Sequence, residues 1–150
     1  MMQGNSIVIF DLDGTLALNK HREHYIACPK PDWDSYFEAC DKDLPNYPVI
    51  ALNQLLAANN VWIEIWSGRS EAVRAKTVDW LQAHNVQYDE LLMRPVRNYT
   101  NDAVLKREWL HAVADEAKSR ITFIVDDRNS VVKMWRDEGM TCLQVAEGDF

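Results

Sequence analysis

The stretch Ile7-Val8-Ile9-Phe10-Asp11-Leu12-Asp13-Gly14-Thr15 decides the fold. Its first four residues are apolar and of strand-forming type, and they read as a short buried strand. The strand ends on two carboxylates two positions apart, followed by Gly14 and Thr15, where the chain can turn away. Neighbouring carboxylates are costly to ionise together unless a cation sits between them. The pattern therefore reads as a Mg²⁺ site at the carboxyl end of a strand, the edge where open α/β sheets keep their chemistry. The same residues also fit an Asp-Gly turn closing a hairpin, which needs no metal.

Two further runs favour the first reading. Ile121-Thr122-Phe123-Ile124-Val125 is a second apolar strand, and it ends on Asp126 and Asp127. Val61-Trp62-Ile63-Glu64-Ile65-Trp66 is a third, and it ends on Ser67-Gly68-Arg69. Three strand ends that bring together four Asp, a small hydroxyl and an Arg describe a site for a phosphate bound through a metal.

In order, the motifs are Asp-x-Asp-Gly-Thr, a strand ending in Ser-Gly-Arg, a Lys before a helix, and a strand ending in Asp-Asp. That order resembles the haloacid dehalogenase superfamily of phosphotransferases, over nearly the whole chain. Within it, the chain is most similar to the 3′-phosphatase domain of phage polynucleotide kinase–phosphatase. This closer resemblance rests on Phe10 to Ala17, on Ser67-Gly68-Arg69, and on the run from Asp126 to Phe150 that contains Met134-Trp135-Arg136 and Gln144-Val145-Ala146.

The resemblance implies an α/β fold: a HAD-like, Rossmannoid three-layer α/β/α domain spanning residues 1–150. Its sheet is expected to be mostly parallel and five-stranded. A small lid insert follows the first strand, at about residues 19–47. Helices are predicted for about Asn46–Ala58, Ser70–His84, Asn101–Lys118 and Asn129–Glu138, and further strands for Glu90–Arg94 and Met140–Val145. Ile50, Leu52, Leu55 and Leu56 are expected to face inward from the first helix, and Val104, Leu105, Leu110 and Val113 from the third. Strands alternating with helices predict a parallel sheet covered on both faces.

The resemblance also implies the roles. Asp11 is the nucleophile that takes the phosphoryl group, and Asp13 is the general acid/base. Mg²⁺ is held by Asp11, the backbone carbonyl of Asp13, and Asp126, with Asp127 in support. Lys106 is the cation that balances Asp11 and the phosphate, and Asp102, one helical turn before it, orients it. Thr15, Ser67, Gly68 and Arg69 are expected to contact the substrate, and Arg22, eleven residues after Asp11, to hold a nucleotide-end phosphate. The implied activity is removal of 3′-phosphates from polynucleotide ends through an aspartyl-phosphate. A small-molecule phosphatase, such as a nucleotidase or a sugar-phosphate phosphatase, uses the same residues. A catalytically silent binding module is a third reading, which the intact Asp11, Asp13, Lys106, Asp126 and Asp127 oppose.

Composition narrows the partners. A net charge of −7 over 150 residues repels nucleic acid and anionic membranes at long range. The chain is therefore expected to touch only a phosphorylated nucleotide or strand end, through a few local cations. Three Cys without metal spacing predict a reduced, cytoplasmic chain (of the host cell, if phage-encoded). No secretory or membrane-spanning pattern is present, and no obligate protein partner is evident. No Gly-x-x-x-x-Gly-Lys-Ser/Thr occurs, so no kinase half is expected within these residues. His21 and His24 are not expected to bind metal, because a hard Mg²⁺ site wants oxygen. In the insert, Trp33, Tyr36 and Phe37 are suited either to stacking on a base or to one side of a small packed helix.

Overall fold

Ile7–Phe10 forms the central strand, β1, of the sheet in a computed structural model that describes residues 5–149. All four of its residues are buried, and they alternate between two cores. Val8 and Phe10 join one cluster and Ile7 and Ile9 the other. A strand apolar on both faces needs a cover on each, and helices supply it.

After β1 come β2 (Ala17–Leu18), a 3-10 helix over Lys20–Tyr25, α1 (Trp33–Glu38), a second 3-10 helix over Ala39–Lys42, and β3 (Leu44–Pro45). The chain continues as α2 (Tyr47–Ala58), β4 (Trp62–Ser70), α3 (Arg74–Ala83), β5 (Glu90–Arg94) and α4 (Asp102–Ala112). It ends with α5 (Asp115–Ser119), β6 (Ile121–Asp126), α6 (Asn129–Asp137) and β7 (Cys142–Gln144). The main sheet has the order β5-β4-β1-β6-β7, and every pairing in it is parallel. The predicted five-stranded α/β architecture is thus observed. One face is covered by α2 and α3 through Val49, Ile50, Trp80 and Leu81, and the other by α4 and α6 through Leu110, Val131 and Trp135.

β2 and β3 pair antiparallel, so the segment between them leaves and rejoins the body at one place. Phe10 stands beside Ile65 and Val125, and the Asp11 N–H donates to the Val125 carbonyl at 2.9 Å. That register brings the carboxyl ends of β1, β4 and β6 side by side.

Three expectations need correction. The helix predicted over 101–118 is two helices, because Val113 and Ala114 are extended (ψ 133° and 143°). Asp115 and Glu116 then open the second one, where carboxylates favour the positive helix end. Leu55 and Val104 are exposed rather than inward, at 65% and 41%. On α2 the buried place belongs to Asn53, whose side chain accepts from the Gln87 N–H and donates to its carbonyl, both at 2.8 Å. On α4 it belongs to Lys106, whose ammonium is needed inside. The helix after β4 begins as a 3-10 turn over Glu71–Val73, capped by the Ser70 hydroxyl, which accepts the Ala72 N–H. Phe150, the end of the C-terminal run, lies outside the described residues.

Candidate active site

Asp11 leaves the end of β1 into a cleft of about 330 Å³ that Asp13, Asp126 and Asp127 also line. Two opposed electrostatic environments meet there. In the first, Lys106 is 1% exposed and donates to Asp11 Oδ1 at 2.7 Å and to Asp126 Oδ2 at 3.1 Å. Asp102 Oδ2 stands 3.9 Å from the same ammonium, one turn earlier on α4, as its spacing predicts. The Thr15 hydroxyl donates to Asp11 Oδ2 at 2.9 Å and lies 3.3 Å from Asp127 Oδ1. Trp135 Nε1 and the Asp127 N–H donate to the two oxygens of Asp126, at 3.2 and 2.8 Å.

Asp11, Asp126 and Asp127 offer carboxylate oxygens that all lie within 4.8 Å of one another. One ammonium does not balance three buried carboxylates. Burial, and then the charge of Asp126, push Asp11 well above the usual carboxylate range and raise Asp127 to about 6. The Lys106 ammonium is held charged by Asp11 and Asp126 despite its burial. Two glycines let the carboxylates close in. Gly14 has φ +85°, and a Cβ there would stand 2.1 Å from Asp127 Oδ2. A Cβ on Gly68 would stand 2.3 Å from Asp102 Oδ1.

The second environment is cationic. Asp13 Oδ1 accepts from Arg22 Nη2 at 2.6 Å and from Arg69 Nε at 2.9 Å. Both guanidinium groups are fully buried, and both also bind Asp43, a buried carboxylate from the segment before β3. Asp43 Oδ2 accepts from Arg22 and Arg69 at 2.7 and 2.8 Å. Asp43 Oδ1 accepts from Arg22 Nε at 2.8 Å and lies 2.7 Å from His21 Nε2. Burial favours the neutral acid at Asp13, but Arg69 and Arg22 outweigh it and hold Asp13 at about 2. The Arg22 guanidinium also lies over the Tyr36 ring, 4.3 Å from its centroid.

The structure thus brings together Asp11, Asp13, Lys106, Asp126, Asp127 and Asp102. It places Arg22 and Arg69 behind Asp13 rather than in the open cleft. Thr15 is likewise fully buried behind Asp11. Ser67 is fully buried and accepts the Arg69 N–H at 3.1 Å, while Gly68 borders the cleft. Arg94 reaches the Gly68 carbonyl and Asp102, at 2.8 and 3.1 Å, and so ties β5 to α4. Asp43 was missed in the sequence: its side-chain partners His21, Arg22 and Arg69 lie 21 to 26 positions away, beyond any local pattern.

The family described as "Polynucleotide kinase PNKP phosphatase domain" matches residues 5–150. The chain belongs to that family of haloacid-dehalogenase-type phosphatases. It is 30% identical over 132 residues to a protein of Autographa californica nuclear polyhedrosis virus described as a "Putative bifunctional polynucleotide kinase/RNA ligase". Those residues are 87% of this chain and 18% of the viral protein. Among solved structures, a chain of the Pnkp1/Rnl/Hen1 complex superposes with a TM-score of 0.83 at 35% identity, covering 99% of this chain and 48% of that one. The class C acid phosphatase from Bacillus anthracis, solved with tungstate bound, shares the fold at 14% identity and a TM-score of 0.66, covering 99% of this chain and 69% of that one. The chain therefore spans less than half the length of its viral and Pnkp1/Rnl/Hen1 relatives. No described helix is long and apolar enough to cross a membrane.

Proposed function

We propose that this protein is a Mg²⁺-dependent phosphomonoesterase that removes 3′-phosphates from polynucleotide ends through an aspartyl-phosphate on Asp11. The observation that carries the reading is the contrast between two carboxylates on one strand end. Asp11 is paired to a buried ammonium, and Asp13 is clamped by two buried guanidinium groups.

The donor set fits the ion. Asp11, Asp126 and Asp127 present hard oxygens in a buried cluster with more negative charge than Lys106 offsets. The ion would be held by these carboxylates and by the backbone carbonyl of Asp13, and would neutralise charge on the phosphoryl group. The remaining chemistry belongs to the chain. Lys106 keeps Asp11 oriented and balances its charge, so that one Asp11 oxygen attacks phosphorus as the bond to the leaving oxygen breaks. Asp13 gives its proton to that oxygen. It later takes a proton from the water that attacks phosphorus and breaks the bond to Asp11. In the free protein Asp13 is a carboxylate; a phosphate dianion beside it adds negative charge and raises its affinity for the proton it must donate. Arg22 and Arg69 act through Asp13, and Thr15 through Asp11, as positioning residues.

The 3′-end preference draws support from membership of the polynucleotide kinase phosphatase family. A phosphate-release panel with Mg²⁺ tests it. A 3′-phosphorylated oligonucleotide is expected to outpace a 5′-phosphorylated one, mononucleotides and an aryl phosphate. Equal rates on all of them would point to a small-molecule phosphatase.

A further inference from the structure

The insert builds one wall of the cleft. Its helix α1 is capped by Asp32, whose carboxylate accepts the Ser35 N–H at 3.0 Å and the Ser35 hydroxyl at 2.6 Å. At the other end, Lys76 of α3 donates to the Glu38 carboxylate at 2.6 Å. Of its three aromatics, Tyr36 is buried under Arg22, with its hydroxyl accepting from Asn19 at 2.8 Å, and Phe37 packs on the core. Trp33 does neither. It is 39% exposed, the most open of the three, and with Tyr36 and Phe37 it lines the same cleft as Asp11 and Asp13.

Building on the function proposed above, we infer that Trp33 stacks on the nucleobase of the terminal nucleotide while that nucleotide's phosphate lies at Asp11. A phosphate held at the floor leaves the group esterified to it within the cleft, whose volume suits a nucleotide-sized ligand. The β5–α4 loop also lines the cleft, with Tyr99, 77% exposed, and with the polar residues Asn98, Thr100 and Asn101. A flat apolar face beside hydrogen-bonding groups matches a heteroaromatic base better than an alkyl chain.

Trp33 is also held in register with the chemistry. Its ring stands edge-on to Tyr36 at 5.8 Å and nearly parallel to Phe37 at 6.0 Å. Tyr36 lies under the Arg22 guanidinium that clamps Asp13. One continuous set of contacts therefore joins the stacking face to the general acid. A net charge of −7 gives a strand little long-range attraction, and stacking, which every base permits, supplies affinity without it.

The test compares 3′-phosphorylated oligonucleotides with a normal or an abasic terminal nucleotide, read as the ratio of their kcat/KM values. Wild type is expected to prefer the base-bearing end. In Trp33→Ala the ratio should fall by roughly 5- to 150-fold, the range of base–aromatic stacking, and Trp33→Phe should keep most of it. Trp33→Leu retains apolar packing on Phe37 and carries the test if the alanine variant unfolds. An unchanged ratio, or equal losses on both substrates, would overturn the inference by making Trp33 a sugar contact or a packing residue. A wild type inert on 3′-phosphorylated ends but active on other esters overturns the proposed function, and the inference with it. An active wild type without a Trp33-dependent preference overturns the inference alone.

Discussion

Asp11 and Asp13 leave the same strand end two residues apart, yet their surroundings move them in opposite directions. Burial and neighbouring carboxylates raise Asp11; Arg69 and Arg22 hold Asp13 at about 2. Identical side chains on one backbone thus acquire different chemistry from the helix and the insert that face them. Environments that drive paired carboxylates apart divide the roles in an active site. Turnover by the proposed route nevertheless needs both shifts reversed: a cation at the acidic cluster would favour the charged Asp11, and a phosphate dianion beside Asp13 would favour its proton. Here α4 supplies one half of the division through Lys106, and the insert supplies the other through Arg22 and Asp43.

The sharpest way to break the comparison is to remove the charge of Asp11 alone. Asp11→Asn should reduce phosphate release to background while leaving the thermal midpoint unchanged or slightly raised, because it relieves repulsion with Asp126 and Asp127. Steady-state assay and calorimetry on the same sample check both halves. Loss of activity through unfolding would not count as agreement.

The cationic half breaks at Asp43. Asp43→Asn takes a charge from between two buried guanidinium groups, which costs about 3–5 kcal/mol of stability, read as a lower denaturation midpoint. Activity should also fall by roughly 100-fold, because Asp13 loses the scaffold that fixes its clamp. Full activity in a folded Asp43→Asn protein would detach the insert from the chemistry.

The two halves also differ in their response to acid. Asp13 sits at about 2, below its ordinary 3.8, so its contribution is present above about pH 3.8 and is lost as pH falls toward 2. It amounts to about 2 kcal/mol, and Asp13→Asn should flatten the stability profile in that window. Asp127 runs the other way. Raised from 3.8 to about 6, it costs metal-free stability as pH rises through that interval. Mg²⁺ should therefore raise the thermal midpoint more at pH 7 than at pH 4, by a few degrees at saturating ion. An equal rise at both pH values would contradict the acidic cluster as its site.

The acidic half was legible in the sequence and the cationic half only in part. Asp11, Asp126 and Asp127 follow apolar strands, so a local pattern places them at one sheet edge, and Lys106 follows from the order of the motifs. Arg22 and Arg69 were visible as charges, but their burial behind Asp13 was not. It depends on Asp43, which no local pattern marks and which reaches the arginines only after β2 and β3 close the insert. The break at Val113 and Ala114 escaped because neither a Gly nor a Pro marks it, and only the extended backbone of the two residues shows it. Trp33 and Tyr36 illustrate the same limit on one helix: both were plain as aromatics, and only packing separated the buried one from the exposed one.

The division of labour at the end of β1 is tested most directly by acid-quenching the protein during turnover of a 3′-phosphorylated oligonucleotide with Mg²⁺ and locating covalent phosphate by peptide mass spectrometry. The predicted result is one phosphoryl group on the peptide carrying Asp11 in the wild type, and none in Asp11→Asn. Turnover by the wild type with no phosphoryl group on Asp11 would contradict the account.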